Sequence, residues 1–270
     1  MSIKLVAVDL DDTLLDNARK VSERTKVAIQ KAVGQGVAVT LSTGRMHRSA
    51  LPYALELALD IPLITYNGAL IRSSLSNETL FHRPMAAETA AEVVELFRER
   101  GWFIQVYLDD VLYVKERDAR ARYYEEVAGI EAVAVGDRIY SLGGTPTKLL
   151  SVAEPEENAR IRTVLAEVFG ERLYATVSKP NYLEMANPSV NKGVALDFLA
   201  QRLGIDRTEI MAVGDSLNDM DMIEYAGWGV AMGNARAELK RVAQAVTGAN
   251  DADGVAEAIE KYVLKPAGEK

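Results

Sequence analysis

Apolar and polar residues fall along this chain in blocks, and the blocks have two periods. Ile3-Lys4-Leu5-Val6-Ala7-Val8, Val37-Ala38-Val39-Thr40-Leu41, Pro62-Leu63-Ile64-Thr65-Tyr66, Ile210-Met211-Ala212-Val213 and the run 228–232 are short and almost continuously apolar. Such runs predict strands buried on both faces, the kind found in parallel sheets covered by helices. Between the first two, Ser22 can cap a helix with Ala28, Ile29, Ala32 and Val33 on one face, stopped by Gly34 and Gly36. Helical patterns also follow Ser42-Thr43-Gly44-Arg45 to about residue 59, and recur over 192–203, 219–226 and from Val255 onward. Strands that alternate with helices predict a doubly wound α/β sheet.

The middle of the chain has a different rhythm. An amphipathic helix over 86–100, with Val93, Val94 and Phe97 on one stripe, ends at Gly101, and two β-rich runs over 102–108 and 111–115 meet at Asp109-Asp110, a hairpin pattern. Helices over 118–128 and 156–169, a strand over 148–152 and a second hairpin-like pair over 173–178 and 182–186 complete it. This mixture predicts an α+β domain with an antiparallel sheet, inserted into the α/β unit. The expected division is 1–83 with 188–270 for the α/β core and 84–187 for the insert, with a frayed tail over 265–270.

Composition narrows the chemistry. The chain has 270 residues, 49% hydrophobic and 26% charged, which is ordinary for a water-soluble globular protein. A formal net charge of −8 argues against neutralising a nucleic-acid backbone. Cysteine is absent, which excludes disulfides and thiolate chemistry, and with only His47 and His82 a His-rich zinc site is not expected. A metal would have to be held by oxygen, which suggests magnesium, calcium or manganese. The start shows no signal-peptide pattern and no apolar run is long enough to span a bilayer, so a cytoplasmic protein without nucleic-acid or membrane partners is expected.

The apolar opening run stops at Asp9-Leu10-Asp11-Asp12-Thr13. In open α/β sheets ligands bind beyond the carboxyl ends of strands. Two carboxylates as close as Asp9 and Asp11 repel unless a cation or a shared proton relieves them. An Asp-rich turn that merely caps the next element is the alternative. Other strand ends carry residues suited to phosphate and a hard cation: Thr43-Gly44, Gly214-Asp215-Ser216-Leu217-Asn218-Asp219, and Lys192 in Asn191-Lys192-Gly193.

This ordered set resembles the four motifs of the haloacid dehalogenase (HAD) superfamily of phosphatases. Asp9 and Asp11 match the first motif, Thr43 the second, Lys192 the third, and Asp215 with Asn218 and Asp219 the fourth. Thr43 follows Asp9 by 34 positions and Lys192 follows Thr43 by 149, so the insert lies between the second and third motifs. That placement is similar to the type IIB cap group, the Cof-like sugar phosphatases, as are Tyr66-Asn67-Gly68-Ala69 and the segment 229–235. The resemblance implies a Rossmann-like parallel-sheet core with an α+β cap of type C2B. It implies Asp9 as nucleophile, Asp11 as acid and base, and Mg²⁺ held by the Asp9 carboxylate, the Asp11 carbonyl and Asp215. Thr43, Gly44 and Lys192 would meet phosphate, Asn218 would orient Asp215 or meet the phosphate, and Asp219 would hold Lys192 or a metal-bound water. Asn67 and Arg45 are substrate-side candidates, and Lys148, Lys179 and Tyr182 are polar candidates on a cap that would close over the core.

The implied activity is hydrolysis of small phosphorylated metabolites, sugar phosphates above all, by a monomer or small homo-oligomer. A sugar phosphomutase would carry the same motifs, and a non-catalytic sugar-phosphate sensor would share the fold. His47 and His82 are expected to be packing or surface residues, and Met220 and Met222 core filling.

Overall fold

The computed structural model describes residues 2–264, so the tail over 265–270 lies outside the described residues. In chain order the elements are β1 (Leu5–Val8), α1 (Glu23–Gly34), β2 (Ala38–Leu41), α2 (His47–Glu56), β3 (Pro62–Thr65), β4 (Leu70–Ser73) and β5 (Thr79–His82). Then come α3 (Ala87–Arg100), β6 (Gln105–Leu108), β7 (Val111–Val114), α4 (Ala119–Ala128), β8 (Val133–Ala134), β9 (Lys148–Val152), α5 (Pro155–Phe169), β10 (Tyr174–Lys179) and β11 (Tyr182–Ala186). The chain ends with α6 (Lys192–Leu203), β12 (Ile210–Gly214), α7 (Met220–Tyr225), β13 (Trp228–Ala231), α8 (Ala237–Val242), β14 (Ala245–Val246) and α9 (Gly254–Tyr262). Two compact units result: one holds the residues up to Gly44, Ala50–Leu80 and those from Asn191 on, the other Arg45–Ser49 and Phe81–Val190.

The first unit is built on a five-stranded sheet in the order β14-β13-β12-β1-β2. Every neighbouring pair is parallel. Helical crossovers require both faces to be covered, and every residue of β1 and β12 is buried. The register sets Val8 beside both Leu41 and Val213, so the chain leaves three adjacent strands at one edge of the sheet. In α1 the Ser22 side chain accepts from the Thr25 N–H, and Thr25, Ala28, Ile29 and Ala32 are buried. Val33, expected on that face, is 42% exposed. One residue beyond Ala32 is a turn of about 100° around the helix, which carries Val33 off the apolar stripe.

The third apolar run does not extend the parallel sheet. β3 pairs antiparallel with β4 and belongs to a separate three-stranded sheet, β3-β4-β5. It touches the large sheet's chain through one parallel bridge, Ser42 with Ile64. The tight turn Tyr66–Gly68 folds the chain back at once, leaving no room for the helix that a parallel partner needs.

The second unit has a six-stranded sheet ordered β10-β11-β9-β6-β7-β8. The β6–β7 turn places Asp109 and Asp110 at φ 53° and 59°, the two-residue hairpin geometry that matches strand twist. One face packs Val106, Leu149, Leu183 and Met185 against Val93 and Phe97 of α3 and Ile161, Leu165 and Phe169 of α5. Side chains alternate across a strand, so the other face carries Gln105, Tyr107, Lys148, Tyr182 and Glu184. Residues 45–49, expected with the core, pack here instead. The Asp110 carboxylate accepts from the N–H groups of His47 and Arg48 (both 3.1 Å), and Ser49 Oγ donates to the Ala128 carbonyl at 2.5 Å.

Candidate active site

The first unit's sheet edge is where the site forms. Asp9 follows β1 directly, its N–H bonded to the Val213 carbonyl at 3.0 Å. The chain then makes a wide turn in which the Leu14 and Leu15 N–H groups donate to the carbonyls of Asp9 and Leu10 (3.2 and 2.9 Å), with Asp12 left-handed at φ 57°. That turn brings Thr13 back so that its Oγ1 donates to Asp215 Oδ1 at 3.0 Å. Asp11 stays half-buried on the same turn.

β12 delivers the second carboxylate group. Asp219 folds back over the strand end, and its Oδ2 accepts from the N–H groups of Asp215 and Ser216, each at 3.0 Å. A Cβ on Gly214 would lie 2.6 Å from the Asp219 side chain, so this approach needs glycine. Lys192 opens α6 behind an Asn191 cap whose side chain accepts from the Val194 N–H at 2.7 Å. Fully buried, its ammonium donates to Asp9 Oδ1 and Asp219 Oδ1, both at 2.6 Å.

Asp9, Asp215 and Asp219 each present a carboxylate oxygen, and these atoms all lie within 4.8 Å of one another. Three carboxylates against one ammonium leave excess negative charge in a buried place. Burial, with the charges of Asp219 and Asp215, therefore pushes the Asp9 carboxyl well above its ordinary value, and Lys192 only partly opposes this. Burial and Asp219 push Asp215 up to about 7, against the Thr13 hydrogen bond. Burial also disfavours the Lys192 ammonium, but Asp219 and Asp9 outweigh it and hold Lys192 above the usual lysine value.

A hard divalent cation fits this donor set, because oxygen anions in excess are what such ions bind. Asp219 spends its Oδ1 on Lys192 and its Oδ2 on two backbone N–H groups, which leaves Asp9 and Asp215 as the carboxylates suited to direct contact. The carboxylate of Asp11 is outside the cluster.

The remaining expected residues fall in two places. Thr43 is buried, and its N–H donates to the Ile64 carbonyl at 2.9 Å. Gly44 lies against Asn67, and Asn218 donates from Nδ2 to Asn67 Oδ1 at 3.0 Å rather than to Asp215. Arg45 belongs to the second unit, where Nη1 donates to Ser49 Oγ at 3.3 Å. His47 is buried in that unit and His82 Nε2 pairs with Thr147 Oγ1 at 2.9 Å. Thr13 was not singled out by the sequence, and Gly214 entered only as the first residue of the fourth motif. Their signal is adjacency: a hydroxyl closing the Asp9–Asp12 run, and a glycine between a buried strand and Asp215.

A parallel sheet with a buried carboxylate at the end of β1, an ammonium bridging it to a second acid and an acid pair suited to a hard cation define a carboxylate-centred hydrolase. The chain matches the haloacid dehalogenase-like hydrolase family over residues 6–259. It is 31% identical over 268 residues to the 5-amino-6-(5-phospho-D-ribitylamino)uracil phosphatase YitU of Bacillus subtilis, covering 96% of this chain and 97% of that protein. A solved haloacid dehalogenase-like hydrolase from Bacteroides thetaiotaomicron superposes with TM-score 0.90 at 28% identity, over 96% of this chain and 99% of its own. A solved HAD subclass IIB sugar phosphatase shares the fold, with TM-score 0.81 at 20% identity over 95% of this chain and 98% of its own. The chain belongs to the haloacid dehalogenase-like hydrolase family and is an enzyme of the phosphatase type.

Proposed function

We propose that this protein is a magnesium-dependent phosphatase that hydrolyses small phosphorylated polyols and sugars through a phosphorylated Asp9. The observation that carries the reading is the Lys192 ammonium shared by Asp9 and Asp219 at 2.6 Å beside Asp215. It partly opposes the burial and the neighbouring carboxylates that push the Asp9 carboxyl up. In the first step Asp9 attacks phosphorus as the bond to the substrate oxygen breaks, and the Asp11 carboxyl passes its proton to that oxygen. In the second, Asp11 takes a proton from water, the water oxygen attacks phosphorus, and the bond to Asp9 breaks to release inorganic phosphate. Lys192, the Thr43 hydroxyl and the Gly44 and Asn218 groups face the negative charge that builds on the phosphoryl oxygens.

Asp9, Asp215 and the Asp11 carbonyl would hold Mg²⁺. When bound, the ion offsets the charge that separates an anionic nucleophile from an anionic phosphate. The substrate class draws on YitU, whose name places a phosphate on a ribityl chain. Phosphate release from a panel of sugar, polyol and cofactor phosphates, with Mg²⁺ or with EDTA, tests the proposal. Release that needs Mg²⁺ and favours hydroxylated substrates supports it; a sugar phosphate isomerised without free phosphate replaces it with the mutase reading.

The cation and the proton compete for the same carboxylates. In metal-free protein the raised Asp215 value favours the folded state at low pH, a contribution complete below about pH 4 and lost as pH rises through about 7. Mg²⁺ needs the ionised form, so its stabilisation runs the opposite way. The rise in melting temperature on adding Mg²⁺ is expected to be larger at pH 8 than at pH 6. Equal increments at the two pH values would contradict this site as the place of binding.

Leaving-group choice is assigned to the second unit's polar sheet face. There Lys148 and Glu184, both buried, pair at 3.3 Å, and the Lys148 ammonium sits 4.9 Å from the centre of the Tyr107 ring. Tyr124 packs edge-on against both Tyr107 and Tyr182. Lys179, on the adjoining β10, is half-buried. Exchanging a buried ion pair for apolar residues is often neutral for stability, so Lys148→Met with Glu184→Leu is expected to fold. Its rank order of substrates should change by about tenfold or more in relative kcat/KM, the scale at which unmet hydrogen-bonding groups discriminate. An unchanged rank order would remove this face from substrate choice.

A further inference from the structure

The turn between β3 and β4 is more constrained than a hairpin requires. Tyr66 and Asn67 are both left-handed, at φ 53° and 54°, and Gly68 follows at φ 99°. Asparagine tolerates that region but a tyrosine there is strained, and such strain persists where the surroundings over-determine it. Here the surroundings are three segments of the catalytic site. The Asn67 N–H donates to the Thr43 carbonyl at 3.0 Å. Its Oδ1 accepts from Asn218 Nδ2, 151 positions away, at 3.0 Å. A Cβ at Gly44 would come within 3.0 Å of that same Oδ1, so the Asn67 side chain lies across the backbone just after Thr43. A Cβ at Gly68 would sit 2.3 Å from the carbonyl of Asn191, the residue that caps the helix beginning at Lys192.

We propose that Asn67 is a positioning residue, fixing the carboxamide of Asn218 toward the phosphoryl group while its turn ties the Thr43, Lys192 and Asn218 segments into one frame. This rests on the phosphatase reading for what Asn218 faces, but the coupling itself is a property of the fold. A carboxamide held by one hydrogen bond through Nδ2 presents its remaining N–H in a fixed direction, and an oriented donor stabilises developing charge far better than a rotating one.

Asn67→Gly separates the two roles the residue plays. Glycine adopts φ 54° without strain and keeps the N–H that reaches Thr43, but it has no Oδ1. The expected result is an unchanged melting temperature and a kcat lowered about tenfold, with KM changed less. Asn218→Ala should show a similar loss, and the double variant should be no worse than Asn218→Ala alone, because one interaction is being removed twice. Affinity for inorganic phosphate, measured in the same four proteins, should follow the same non-additive pattern. Wild-type turnover for Asn67→Gly, or single losses that multiply in the double variant, would overturn the proposal. A protein that binds phosphate with this pattern yet shows no turnover dependent on Asp9 would overturn the phosphatase reading and leave the positioning role standing.

Discussion

Replacing Lys192 with methionine is expected to cost the metal-free protein about 3–5 kcal/mol of folding stability, the usual penalty for leaving buried charge without its partner. Lys192 is fully buried and its ammonium touches two of three clustered carboxylates. Methionine matches the length of the stem but leaves Asp9, Asp215 and Asp219 facing one another in a poorly solvated place. Burial, and then their mutual repulsion, already raises Asp9 and Asp215 above ordinary carboxyl values. Without the ammonium they would be driven further toward the protonated form. Urea denaturation in EDTA reads the loss directly, and added Mg²⁺ should restore part of it by supplying positive charge to the same oxygens. A variant that melts like the wild type in EDTA would show that the cluster carries far less charge than the geometry implies.

Asp9→Asn should have the opposite effect on stability and a much larger one on turnover. An amide cannot attack phosphorus as a carboxylate does, so phosphate release should fall by at least about 10⁴-fold, on the scale of losing a nucleophile outright. Yet the substitution takes one anion out of a crowded, buried set. Asp9 is the carboxyl most penalised by burial and by its neighbours, so in metal-free protein a neutral amide in its place rests more easily in the fold than the ionised carboxylate does. A raised melting temperature together with lost turnover separates a chemical role from a structural one. Substantial turnover in the variant would mean that another group forms the bond to phosphorus.

Much of this arrangement could be foreseen because it depends on local pattern. Continuous apolar runs mark β1, β2 and β12, and each leads into a residue that the sheet register then brings to one edge: Asp9, Thr43 and Asp215. Lys192 was legible only as part of the ordered set, since a lysine in the first turn of a helix says nothing by itself. The alternation of hairpins and helices in the middle likewise foretold the inserted unit, down to the Asp109-Asp110 turn.

What escaped depends on contacts between distant positions. The hydrogen bond from Thr13 to Asp215 spans 202 positions and that from Asn218 to Asn67 spans 151, and no periodicity encodes either. β3 carries the apolar run of a parallel strand, but the turn after it decides its partners, which makes it antiparallel to β4. Residues 45–49 continue directly from Thr43-Gly44, yet Asp110 and Ala128 draw them into the second unit. The commitment of the Thr43 N–H to Ile64 follows from the bridge between the two sheets, which only the folded chain reveals.

The central claim is that a phosphoryl group rests on Asp9 during turnover. An acyl phosphate is reduced by borohydride to an alcohol, which would convert residue 9 to homoserine. The direct measurement is therefore an acid quench of the enzyme during turnover with Mg²⁺ and its best substrate, borohydride reduction, and mass spectrometry of the peptide that contains residue 9. Homoserine at position 9, absent without substrate, is the predicted result. Turnover that continues with position 9 unmodified, or the same conversion found at Asp11 or Asp215 instead, would contradict it.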